Sequence, residues 1–125
     1  MKVSDLTGAD LDYWVAKAEG YAVNAKRNGV KRMDDNVYVY SEWCVDDRMY
    51  APSTDWAQGG PIIERKRIGV ARRLEKYDRP SDDWISMPHG EYGLRGPTGP
   101  TMLIAGLRAF VASKFGDEVG GQEAA

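Results

Sequence analysis

The chain is nearly empty of the residues that build covalent or metal-held sites: Cys44 is its one cysteine and His89 its one histidine. A single cysteine excludes an intrachain disulfide and suits a reducing compartment. With no histidine near it in sequence to draw off its proton, Cys44 reads as a small buried residue and not as a nucleophile. His89, without a second His or Cys at ligand spacing, gives no metal signature and only weak support for acid–base chemistry. Long apolar runs are missing as well. None approaches the roughly 20 residues that span a bilayer, and the N-terminus alternates charged and apolar residues where a signal peptide needs a basic stretch followed by an apolar one. The expectation is a soluble cytoplasmic protein with no membrane partner. An excess of one charge is also lacking, since 17 basic and 19 acidic residues leave a net charge of −2. That total implies no concentrated basic surface, so nucleic acid is a poor candidate partner. The Gly- and Pro-rich stretch from His89 to Pro100 lacks the Gly-Lys-Ser/Thr ending of a phosphate-binding loop, and no cofactor is implied.

What remains is enough for one domain, because 125 residues can bury a real core and neither a repeat nor a linker divides them. Residues 1–116 are expected to fold and the acidic tail 117–125 to be disordered. In the first helix, Thr7 is the expected N-cap, Leu6 and Leu11 bracket it as a staple, and Gly20 stops it. Leu11, Trp14, Val15 and Ala18 form its apolar stripe. Between Tyr21 and Asn36 a basic cluster is broken by Asn28-Gly29, which reads as a hairpin tip or a solvated loop. Val37 to Trp43 is the clearest strand, with Val37 and Val39 facing one way and Tyr38 and Tyr40 the other. Gly69 to Tyr77 and Trp84 to Met87 pair as a second hairpin. Thr101 caps a last helix whose Leu103, Ile104, Leu107, Phe110, Val111 and Phe115 recur at helical spacing, and Gly116 ends it. The sum is an α+β fold, a small mainly antiparallel sheet with three helices packed on it.

The densest local signals lie between Tyr50 and Arg67. Pro52 sets a turn, Ser53, Thr54 and Asp55 are successive capping residues, and a helix is expected from about Thr54 to Lys66. Gly60-Pro61 leaves its continuity open, since a proline well inside a helix costs roughly 3 kcal/mol unless the helix kinks or restarts there. Trp56 and Ile63 fall on one face, so Trp56 is expected in the core together with Leu107 of the last helix.

That stretch, with Pro-Ser-Thr-Asp-Trp-Ala-Gln-Gly-Gly-Pro-Ile-Ile-Glu-Arg intact, resembles the signature of the NinX family of small bacteriophage proteins. The resemblance extends to Leu6–Gly20 and to Gly99–Val119, nearly the whole chain, and it implies a phage accessory protein of no assigned biochemical activity. Met102 and Ala109 stand where the family usually has proline and cysteine, which argues against a redox or metal role for that cysteine. A fainter likeness, Pro-Ser-Thr-Asp before a helix, links the chain to phage proteins with an α-β-α sandwich.

Two function classes follow. A non-catalytic binding protein, for a small nucleotide-like ligand or a host protein, is favoured by the aromatic content and by the lack of a catalytic constellation. Its pocket is expected where the turn enters the helix, built from Tyr50, Ser53, Thr54, Asp55, Trp56 and Gln58, with Arg108 reaching over as a wall. The alternative is a small enzyme using Asp55, Glu64 or His89 with an arginine, for which only residue types argue. A homo-oligomer is compatible with either.

Overall fold

The computed structural model describes residues 1–23, 25–33, 35–40, 48–72, 83–87 and 96–120. It is an α+β fold of three helices and two mostly antiparallel sheets. The helices are α1 (Gly8–Ala18), α2 (Trp56–Arg65) and α3 (Met102–Phe115), and a single 3-10 turn, Val3–Asp5, precedes them. In place of the one sheet expected from the sequence there are two. The first has the order β1 (Ala22–Val23), β2 (Gly29–Met33), β3 (Asn36–Tyr40), β4 (Arg48–Met49); the second has β5 (Gly69–Arg72), β6 (Trp84–Met87), β7 (Thr98–Gly99). Among the described strands, only β1 and β2 run parallel. The division follows the helices, since α1 packs on β2 and β3 while α3 packs on β5, β6 and β7.

The element on which most others rest is α3. It touches α1, α2, the second sheet and the 3-10 turn. Leu103 and every residue from Ala105 to Val111 are buried, so this part of the helix is enclosed on nearly all sides, as a run that is apolar apart from Arg108 requires. Leu107 and Phe110, each sealed from water, contribute about 2–3 kcal/mol apiece by burial alone. They join Leu6, Leu11, Trp14, Val15 and Ile62 in the main core, and Tyr13 and Tyr50 connect it to a second cluster of Ala16, Val30, Val37 and Val39.

Several local expectations hold. Thr101 accepts a hydrogen bond from Ile104 N at 3.1 Å, and Gly20 and Gly116 end their helices with φ of 106° and 85°. Leu6 and Leu11 are both buried across the N-cap Thr7, although the Thr7 side chain makes no capping bond. Val37 and Val39 point inward with Tyr38 and Tyr40 half-buried opposite, and β5 pairs with β6.

Other expectations are corrected. Strand β2 falls where the sequence reads as a basic loop. Its register sets Lys31 opposite Tyr38 and Arg32 opposite Val37, and Gly29 and Val30 are its buried positions, too few for a visible alternation. Of the expected tail, residues 117–120 are described, and they pack on the domain. Val119 is buried, Lys2 pairs with Glu118, and Val3 N donates to Asp117 O at 2.8 Å, so one apolar residue and a short ladder offset the cost of ordering those residues. Helix α2 runs through Gly60 and Pro61 as one helix, with Pro61 exposed so that the carbonyl it leaves unpaired lies on the wet side. Cys44 and His89 lie outside the described residues, as do residues 41–43 of the expected Val37–Trp43 strand and residues 73–77 of the expected Gly69–Tyr77 strand.

Candidate functional site

The turn before α2 is held by its own polar groups. Backbone N–H groups of Thr54 and Asp55 both donate to Ala51 O, at 3.2 and 3.0 Å. Asp55, the actual N-cap, stands in extended geometry and accepts from Ala57 N at 3.0 Å through one carboxylate oxygen. Its other oxygen accepts from the Gln58 side-chain amide at 3.1 Å, and the Gln58 carbonyl in turn accepts from Ala51 N at 3.0 Å. Thr54 lies one position outside the cap, its hydroxyl at 3.5 Å from Ala51 O. The result is a closed ring of bonds in which Asp55 and Gln58 brace the turn. A carboxylate at that point also suits the positive end of the helix.

Ser53 is buried, and its N–H donates at 2.8 Å to Asp12 of α1, a residue the sequence reading passed over. The Ser53 hydroxyl faces the same carboxylate closely enough to favour its charged form, yet completes no hydrogen bond of good geometry. Burial nonetheless dominates and raises the Asp12 pKa above its ordinary 3.8. A carboxyl whose pKa is raised by folding binds its proton more tightly in the native state than in the unfolded chain. Its stabilising contribution is therefore full below the unfolded value and is lost as pH rises through the folded one. Asp12→Asn, which keeps an acceptor for Ser53 N–H without the charge, is expected to flatten that decline in melts taken from about pH 4 to about pH 7. Asp12→Ala, by contrast, orphans the Ser53 N–H and is expected to cost about 1–3 kcal/mol. An Asp12→Asn profile parallel to the parent's would show that this carboxyl titrates alike in both states.

Tyr50 sits between the two core clusters, its N–H donating to Val37 O at 2.7 Å and its ring 5.7 Å from that of Tyr21. Burial first, and then the charge of Glu19, pushes its phenol pKa upward, so it stays protonated. Beside it Glu19 forms an ion pair with Arg65, tying the end of α1 to the end of α2.

The structure thus keeps Tyr50, Ser53, Thr54, Asp55, Trp56 and Gln58 along one segment and leaves Arg108 apart from them. Arg108 does not reach over the turn. It is 1% exposed, and it donates from Nε to Leu6 O at 2.9 Å and from Nη1 to Thr98 O at 2.6 Å. A charge on an enclosed helix must find carbonyls or carboxylates nearby, and the closest lie before α1 and in β7. Trp56 departs from the core position expected for it, for it is 54% exposed. Helix α2 meets α3 through Gly59 on Leu103 and Ile63 on Gly106, so contact advances along both helices together. One turn before Gly59, α3 has not yet begun, and Trp56 projects beyond its end.

The profile described as Bacteriophage P22, NinX matches residues 2–114. The chain belongs to the NinX family. No curated protein matches it.

Two open clefts in this NinX chain lie away from the turn. One of about 780 Å³ runs between the N-terminal residues Lys2–Ser4, α3 and the stretch at Asp117. The other, of about 530 Å³, lies between α1 and the β1–β2 edge. Neither is lined by the residues of the Tyr50–Gln58 turn. No group of three or more His, Cys, Asp or Glu comes together among the described residues, and no helix among them is long and apolar enough to cross a membrane.

Proposed function

We propose that this NinX protein is a non-catalytic phage accessory protein that binds a protein of the bacterial host cytoplasm through the outer face of α2. The observation that carries this reading is the exposed indole of Trp56, mounted on a turn braced by hydrogen bonds among Ala51, Asp55, Ala57 and Gln58. Ala57 and Pro61 are exposed beside it, and Gly60 is half-buried beneath. An exposed tryptophan on a rigid mount is the kind of residue that anchors protein interfaces, where it offers a large contact area for little conformational entropy. Exposed Glu64 and Arg65 end the helix, the latter paired with Glu19, and exposed Lys66 and Arg67 just beyond it give the apolar patch a border in which basic residues outnumber acidic ones. The fitting partner therefore has an apolar pocket with an acidic rim.

The commitment of Asp55 to the cap supports this role over an enzyme using Asp55, Glu64 or His89 with an arginine. It also favours a protein partner over a small nucleotide-like ligand, because the Asp55 carboxylate and the Ala57 and Gln58 N–H groups are already engaged within the turn. The test combines co-purification from a bacterial host with a stability assay. Trp56→Ala is expected to lose any partner held by the parent while costing under about 1 kcal/mol of stability, as for an exposed position away from the core. Trp56→Phe should retain part of the binding. A partner that the parent and Trp56→Ala hold equally would remove this face. A nucleotide that raises the melting temperature of the parent but not of Thr54→Val or Gln58→Ala would replace this reading with the small-ligand one.

A further inference from the structure

Among the described strands the first sheet ends at β4, and its edge there is open. Tyr50 N donates to Val37 O at 2.7 Å, and the register sets Met49 opposite Tyr38 and Arg48 opposite Val39. Main-chain groups alternate in direction along an antiparallel strand, so with Arg48 and Tyr50 turned toward β3, Met49 turns its N–H and C=O out of the sheet. The next residue offers nothing comparable. Ala51 N donates to the Gln58 side chain, and Ala51 O accepts from Thr54 and Asp55. Met49 thus presents one donor and one acceptor at the edge. Its side chain, 52% exposed, lies with Tyr38 on the face of the sheet turned away from Val37, Val39 and the α1 contact. Met33, 54% exposed, stands diagonal to Tyr38 on the same face. Two half-exposed methionines flanking a tyrosine leave apolar surface beside an unfilled strand position.

We propose that two copies of this chain pair antiparallel through β4, across a two-fold axis at Met49. Each Met49 N–H then donates to the C=O of the partner's Met49, so one residue satisfies both edge groups in a self-complementary contact. The two four-stranded sheets become one of eight, with Met33, Tyr38 and Met49 of both copies on a single face. Direction and charge select this register. An axis at Arg48 would meet groups already turned toward β3 and would set two guanidiniums opposite each other, which is destabilising. The axis at Met49 puts Arg48, the one charge of β4, opposite the partner's Tyr50. The shortness of the edge selects the occupant. A pair of bonds at one residue cannot offset the ordering of a free peptide, at roughly 1–2 kcal/mol per residue, whereas a second copy brings the matching residue already fixed in a strand. A contact this small gives a weak dimer that depends on concentration. No residue of the Trp56 patch takes part, so this pairing stands or falls apart from the α2 reading.

Sedimentation equilibrium of the intact protein between about 10 μM and about 1 mM is expected to show the mass rising from monomer toward dimer. Met49→Pro removes the outward N–H and none that β4 gives to β3, and proline is tolerated on an edge strand in that position. It should melt as a folded protein and dimerise at least about tenfold more weakly. The register has its own test, in protein whose one cysteine, Cys44, is replaced by Ala. Cα atoms of a hydrogen-bonded antiparallel pair lie about 5.5 Å apart, within disulfide reach, so a Met49→Cys variant should link two copies under mild oxidation. A Met33→Cys variant, equally exposed but five strand spacings or about 24 Å from its counterpart, should not. The proposal is overturned if the parent stays monomeric to the highest concentration, or if folded Met49→Pro protein dimerises as the parent does. It is also overturned if the variant at position 33 links as readily as the one at 49, a comparison that decides by itself should Met49→Pro fail to fold.

Discussion

Arg108→Ala is expected to lose about 3–5 kcal/mol of stability, a sum of the cavity left in α3's surroundings and of two carbonyls deprived of their donor. The Leu6 and Thr98 oxygens receive the guanidinium from opposite sides of the helix's neighbourhood, one just ahead of α1 and one in β7. Removing the side chain therefore loosens the N-terminal segment and the second sheet together. Arg108→Met separates the two causes, because it restores most of the volume and none of the donors. It should recover part of the loss, and Arg108→Lys should recover less than a full-length guanidinium does, since one ammonium cannot span both acceptors in the same fork. Urea midpoints for the three variants make the comparison. An Arg108→Ala midpoint within experimental error of the parent's would mean that the buried cation costs as much in desolvation as its bonds return.

Much of this fold was legible in the sequence where one residue type settles one local event. Thr101, Gly20 and Gly116 mark helix ends because caps and left-handed stops depend on the residue itself and its nearest neighbours. The inward Val37 and Val39 are legible for the same reason, as alternation is a local property of a strand. Trp56 and Arg108 were misplaced because their environments are set by elements far away in sequence. Whether an indole on the α2 stripe is covered depends on where α3 starts, and nothing between Tyr50 and Arg67 encodes that. A charge as deep in the apolar run of α3 as Arg108 needs partners, but nothing local says that they are the carbonyls of Leu6 and Thr98. Asp12 was missed because an acidic residue in the second turn of a helix ordinarily faces water; its role appears only when Ser53 is brought against it. Strand β2 was hidden by its own basic residues, which belong to the half-solvated edge that the α1 cleft opens onto.

The adjacent glycines of α2 are expected to respond in opposite directions to the same substitution. A Cβ on Gly59 would stand 2.3 Å from Pro52 O and 2.7 Å from Leu103 Cδ2. The first of these is backbone in the turn that Asp55 and Gln58 brace, so it cannot swing aside as the end of a flexible side chain would. Gly59→Ala must therefore push α2 away from both the turn and α3, with a net loss on the order of 3 kcal/mol even after the better helix propensity of alanine is counted. A Cβ on Gly60 would meet only the Trp56 ring, at 3.4 Å, which is ordinary contact. Gly60→Ala should then gain up to about 1 kcal/mol from helix propensity alone. The two variants differ by one position and one methyl group, so composition and charge cannot account for a difference in sign. Equilibrium unfolding of both, read against the parent, decides the matter. Equal stabilisation by both alanines would show that α2 does not rest on Pro52 and Leu103 at Gly59, and the mount that holds Trp56 outward would have to lie elsewhere.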